Sequence, residues 1–80
     1  MGTSEGAALV VPQMGVVEKV LVLEWLVPDG SDVTEGQNVV LVETDKADTE
    51  LESPASGRLE ILIGAGEEEV PVGAILARVT

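Results

Sequence analysis

The sequence predicts an all-β domain with pseudo-two-fold symmetry, built as a sandwich of two packed sheets. Three observations predict it. Val, Leu and Ile number 14, 9 and 3, so most of the apolar side chains are β-branched, which favours strands over helices. Short Val-rich runs alternate with Gly- and Pro-containing turns, and no eleven-residue window holds a helical period. Finally, Val33-Thr34-Glu35-Gly36-Gln37-Asn38-Val39 is echoed by Val70-Pro71-Val72-Gly73-Ala74-Ile75-Leu76, each copy following an acidic loop that contains glycine. Two similar halves, each too small to bury its own apolar face, are expected to pack sheet on sheet.

The elements follow in order. Residues 1–7 read as a flexible leader and residues 8–80 as one small domain. Leu9 to Pro12 is the first short strand. Val16 to Val27 is a longer, bent strand carrying Val20, Val22 and Trp25, with Trp25 expected as the largest core side chain. Pro28-Asp29-Gly30-Ser31 and Glu35-Gly36 are turns. Val39 to Thr44 and Ala47 to Ser53 form strands on either side of Asp45-Lys46. Pro54 closes the second of these, because proline donates no ladder hydrogen bond. Ser56-Gly57 leads into an alternating run through Leu59, Ile61 and Ile63. Gly64-Ala65-Gly66 and Glu67-Glu68-Glu69 read as a solvated loop, and Ile75 to Val79 is the last strand.

Composition excludes more than it assigns. Four basic against fifteen acidic residues give a net charge of −11, which repels nucleic-acid phosphates and anionic membranes and suits a basic protein partner. With Trp25 as the only aromatic residue, no stacking platform for bases can be built. The absence of Cys and His removes the thiolate nucleophile, the disulfide, the commonest general base and the commonest metal ligands. No apolar run is long enough to span a bilayer as a helix.

Against this background the run Glu43-Thr44-Asp45-Lys46-Ala47-Asp48-Thr49-Glu50 stands out. Lys46 is one of two lysines in the chain and falls midway between two strand-like segments, at the tip of an acidic turn. An isolated amine held at a turn, in a domain without other reactive groups, reads as a point of covalent attachment. The surrounding carboxylates favour the ammonium form, so an external modifying enzyme is expected to supply deprotonation. Strand alternation places Asp48, Glu50 and Glu52 on one outward face.

The chain resembles the lipoyl domains of 2-oxo acid dehydrogenase acyltransferases (E2), within the biotinyl/lipoyl attachment family. The resemblance is carried by Glu43-Thr44-Asp45-Lys46-Ala47, Glu50, Ser53-Pro54 and Ser56-Gly57. It extends to Pro12-Gln13-Met14-Gly15, Trp25-Leu26-Val27, Gly30, Val33, Gly36 and Val70-Pro71-Val72-Gly73. Glu18-Lys19-Val20 departs from the Glu-Gly that many members carry before the tryptophan. The resemblance implies a flattened β-barrel of two four-stranded antiparallel sheets, a barrel-sandwich hybrid. It implies (R)-lipoate bound covalently to Lys46, with Asp45 and Ala47 framing it for a lipoate ligase or an octanoyl/lipoyl transferase.

A lipoylated Lys46 would carry acyl groups and electrons as a non-catalytic swinging arm. A thiamine-diphosphate-dependent 2-oxo acid decarboxylase (E1) would load it, the acyltransferase core (E2) would unload it, and dihydrolipoyl dehydrogenase (E3), a flavoprotein, would reoxidise it. Glu43, Asp48 and Glu50 are the candidate partner-recognition residues. A domain without cysteine also offers no thiol to trap the arm's disulfide. The implied setting is a bacterial cytoplasm or a mitochondrial matrix. The rival readings are a biotin carboxyl carrier domain, a free-standing lipoyl carrier, the glycine cleavage carrier and an unmodified lipoyl-like adaptor. The first typically flanks its lysine with methionines, whereas Asp45 and Ala47 stand here. The last commonly lacks the lysine.

Overall fold

The structure is a computed structural model and describes residues 6–13, 15, 16, 18–45, 47–66 and 69–80. Eight strands follow one another: β1 (Ala7–Val10), β2 (Lys19–Trp25), β3 (Asp32–Val33), β4 (Asn38–Glu43), β5 (Asp48–Glu52), β6 (Gly57–Ile61), β7 (Glu69–Pro71) and β8 (Ile75–Val79). They form two four-stranded antiparallel sheets, ordered β1-β8-β6-β3 and β5-β4-β2-β7. The described residues contain no helix, hence none long and apolar enough to cross a membrane.

The core lies between the sheets because side chains alternate across each strand. Val20, Val22, Val40, Val42 and Leu51 point inward from one sheet, and Leu9, Leu59, Ala77 and Val79 from the other; all are buried. Complete burial of each large aliphatic side chain contributes about 1.5–3 kcal/mol before the entropy of ordering is charged against it.

The internal repeat becomes a matched pair of turns. Gln37 N–H donates to Thr34 O at 2.9 Å, and Ala74 N–H donates to Pro71 O at 3.0 Å. Gly36 and Gly73 occupy the third position of these turns with φ of 88° and 92°, a conformation glycine adopts without steric penalty. Each turn is then clamped by another segment. Gly36 N–H donates to Ser53 O, and Ser53 N–H to Gln37 O, at 3.0 and 2.8 Å. Gly73 N–H donates to Val11 O, and Val11 N–H to Ala74 O, at 2.9 Å each. Ser53 and Val11 are both buried and both precede a proline.

The symmetry reaches two of the three irregularities; the third, the extra residue Leu23 in β2, has no counterpart in β6. Val39 is the extra residue between the pairs Asn38↔Glu52 and Val40↔Leu51, and Leu76 is the extra residue between Val10↔Ile75 and Leu9↔Ala77. Each bulge lets two consecutive residues face the core, so Val39-Val40 and Leu76-Ala77 are all fully buried. Strands β1 to β4 thus correspond to β5 to β8, and the two sheets have the same order under that correspondence. The halves do not each make one sheet: every sheet takes two strands from each half.

Several boundaries differ from the sequence reading. The first strand is Ala7–Val10 rather than Leu9 to Pro12, because Pro12 has no N–H to give and pairing with β8 draws in Ala7 and Ala8. The second begins at Lys19, since Val16 sits in a turn with 84% of its surface exposed. The alternating run ends at Ile61 as a strand. Strands β3 and β7 were not expected; two and three residues are too few to show a period of two. Glu69, read as part of a solvated loop, opens β7. Pro71 is tolerated there because β7 is an edge strand.

Candidate functional site

Strands β4 and β5 are consecutive neighbours, and their last pair is Glu43↔Asp48. The bend between them is closed by Thr44 and Ala47. Thr44 N–H donates to Ala47 O at 3.0 Å, and the Thr44 hydroxyl donates to the same carbonyl at 2.8 Å. That hydroxyl also accepts from Ala47 N–H at 3.2 Å. Only positions 45 and 46 therefore bridge the two strands. Asp45 keeps a negative φ, so the bend is not the mirror-image type I′ turn, which needs positive φ at both central positions. Lys46 itself lies outside the described residues.

The other expected site residues are accounted for. Glu43, Asp45, Ala47, Asp48 and Glu50 are all exposed. Asp48, Glu50 and Glu52 share one outward face, as their register with Glu43, Leu41 and Asn38 requires. Glu50 Oε1 accepts a hydrogen bond from Asn38 Nδ2 at 2.6 Å, which fixes its carboxylate near the middle of that face.

The hairpin leans on the start of β2 and on β7. Leu21 pairs with Glu43 on one side and Glu69 on the other. A cleft of about 320 Å³ opens here, lined by Lys19, Leu21, Glu43, Thr44, Asp45 and Glu69. Lys19 Nζ bridges it to Glu69 Oε1 at 3.0 Å. That hydrogen bond and the charge of Glu69 hold the Lys19 ammonium above the usual lysine pKa of 10.5, with smaller help from Glu18 and Asp45. Sequence reasoning missed Lys19 and Thr44. The Thr44 hydroxyl sits three residues from Ala47, a spacing that allows a local side-chain cap. Nothing in the sequence alone links Lys19 to Glu69. Among the described residues, no group of three or more carboxylates is placed to hold a metal ion.

A family model described as "Biotin-requiring enzyme", covering biotin and lipoyl attachment, matches residues 7–79. The chain belongs to this biotinyl/lipoyl attachment family. Members bearing lipoyl names are similar to it. The dihydrolipoyllysine-residue acetyltransferase component of the acetoin cleaving system of Pseudomonas putida is 42% identical over 53 residues, 66% of this chain and 14% of the relative. The corresponding component of the pyruvate dehydrogenase complex of Acholeplasma laidlawii is 44% identical over 59 residues, 72% of this chain and 11% of the relative. That of Mycobacterium bovis is 38% identical over 72 residues, 89% of this chain and 13% of the relative. The chain thus spans less than one sixth of the length of these relatives. The all-β attachment-family architecture expected from the sequence is the architecture observed.

Proposed function

We propose that this chain is a carrier domain whose Lys46 forms an amide with (R)-lipoate and shuttles acyl groups and electrons among the active sites of a 2-oxo acid dehydrogenase complex. The observation that carries the proposal is the closure of the β4–β5 bend. Three hydrogen bonds between Thr44 and Ala47 leave two bridging positions, and the sequence puts the lysine at one of them. A bend fixed by paired strands presents its side chain in a reproducible position. The exposed neighbours Asp45 and Ala47 leave room for a modifying enzyme to approach. The names of the similar acetyltransferase components support lipoate over biotin.

A bound lipoyl group would supply a disulfide that takes up an acyl group and two electrons. The domain's own residues hold the attachment point and are recognised by partners. Tethering keeps the acyl group at an effective concentration of about millimolar for a flexible linker, and the cofactor rather than the protein carries the chemistry. In this reading the domain catalyses no step itself. Its partners are a thiamine-diphosphate-dependent decarboxylase, an acyltransferase core and a dihydrolipoyl dehydrogenase, in a bacterial cytoplasm.

Intact-mass measurement after co-expression with a lipoate ligase and lipoate tests the proposal. The expected result is a single lipoyl-sized increment that is lost in Lys46→Ala. An increment of biotin size, or none, overturns it.

A further inference from the structure

The pseudo-two-fold symmetry makes each sheet a control for the other, because equivalent positions share backbone pairing, apart from a bulge at Leu23 in β2 that β6 lacks. On the outward face of the hairpin sheet (β5-β4-β2-β7), Leu21 and Leu41 stand half-buried at the centre. Leu21 pairs with Glu43 and Glu69, and Leu41 with Glu24 and Glu50. In the other sheet the equivalent positions are Arg58 and Arg78, which are all the arginines the protein has.

Six carboxylates ring the two leucines: Glu24, Glu43, Asp48, Glu50, Glu52 and Glu69. Among the described residues the cation beside them is Lys19, which is bonded to Glu69. Their equivalents on the opposite face are Glu60, Thr80, Gly6, Ala8, Val10 and Asp32. Only two of these are acidic, and both stand in register with the arginines, Asp32 with Arg58 and Glu60 with Arg78. One face is therefore charge-balanced and the other strongly negative, on equivalent strand pairs.

Solubility alone does not require this segregation, since the same slots are open on both faces. An apolar centre within a charged rim is the anatomy of a protein interface. Among the described residues a second copy of the chain offers no matching basic ring, because its arginines stand in register with carboxylates and Lys19 is paired. The face also ends at Glu43 and Asp48, the pair that carries the Thr44–Ala47 bend. A partner seated on it meets that bend directly.

We propose that the outward face of the hairpin sheet, centred on Leu21 and Leu41, docks the decarboxylase that loads the arm, and that this enzyme presents an apolar contact ringed by lysines or arginines. The proposal rests on the carrier reading above. The acidic rim steers the encounter and the leucines supply the dry contact.

Matched charge reversals test it. Glu24 and Glu60 are equivalent positions, so Glu24→Lys and Glu60→Lys change the net charge equally on opposite faces. The probe is the thiamine-diphosphate 2-oxo acid decarboxylase of the same genome, acting on the lipoylated chain, with intact mass confirming lipoylation and urea unfolding confirming the fold of each variant. Glu24→Lys is expected to lower the second-order loading rate about tenfold at low salt and Glu60→Lys by less than about twofold, with the gap narrowing as salt rises. Equal effects of the two reversals, or no effect of either, overturn the docking face while leaving the carrier reading intact. A lipoylated parent that the decarboxylase does not load overturns both.

Discussion

Trp25 joins the two sheets through a single polar bond. It lies on β2 in the hairpin sheet, and its Nε1–H donates to Ile63 O at 2.9 Å, just beyond β6 in the other sheet. Its ring packs against the core while remaining partly exposed. Trp25→Phe keeps much of the apolar contact but leaves the Ile63 carbonyl without this donor. The expected loss is about 1–2 kcal/mol in urea unfolding, followed by circular dichroism because the substitution removes the only tryptophan. A variant as stable as the parent would show that water replaces the bond at no cost.

Lys19 gives a second prediction at this scale. Its folded pKa lies above 10.5 because of Glu69. The stabilisation that accompanies this shift is therefore fully present below 10.5 and is lost as pH rises through the higher folded value. Both side chains are more than half exposed, so the pair contributes little to stability and its signature is in titration. The Lys19 side-chain resonances should titrate above the ordinary lysine range in the parent and fall back toward it in Glu69→Gln. Unchanged titration would mean that Glu69 is not the partner in solution.

Among the elements, the β4–β5 hairpin was the most legible from sequence and β3 and β7 the least. The hairpin announces itself through an apolar run on one side, alternating polar residues on the other, and the charged pair Asp45-Lys46 between them. Strands of two and three residues carry no such pattern and exist only because β6 and β2 offer edges to pair with. The bulges were invisible for a related reason. Val39-Val40 and Leu76-Ala77 look like breaks in alternation until the partner strand reveals the extra residue. The outward direction of Asp48, Glu50 and Glu52 was readable, whereas the leucine centre beneath them depends on register between strands distant in sequence.

The hairpin's own prediction concerns Thr44. Its hydroxyl makes two of the three hydrogen bonds between Thr44 and Ala47, while the backbone bond survives in Thr44→Val. Global stability should fall by about 1 kcal/mol. If the carrier proposal holds, lipoylation of Lys46, followed as a time course of intact mass, should slow several-fold because the bend is less fixed. Modification at the parental rate would show that the strands alone hold the tip.

At the scale of the whole molecule, the repeat in the sequence foretold the two-fold relation but not how the halves interleave. Each half contributes two strands to each sheet, so neither half carries a complete sheet of its own. The charge of −11 was plain from composition. Its concentration on one face was not, because that follows from pairing Leu21 and Leu41 with carboxylates and Arg58 and Arg78 with their own counterparts.

The strand pair β8–β1 has one more implication. Val79 faces Ala7 as Val42 faces Thr49, so this pair is a hairpin drawn without its bend. Topologically the domain is a ring with one gap. Splicing a Thr-Asp-Lys-Ala tetrapeptide between Thr80 and Gly6, and opening the loop between β5 and β6 instead, would permute the chain and give one scaffold two tethers.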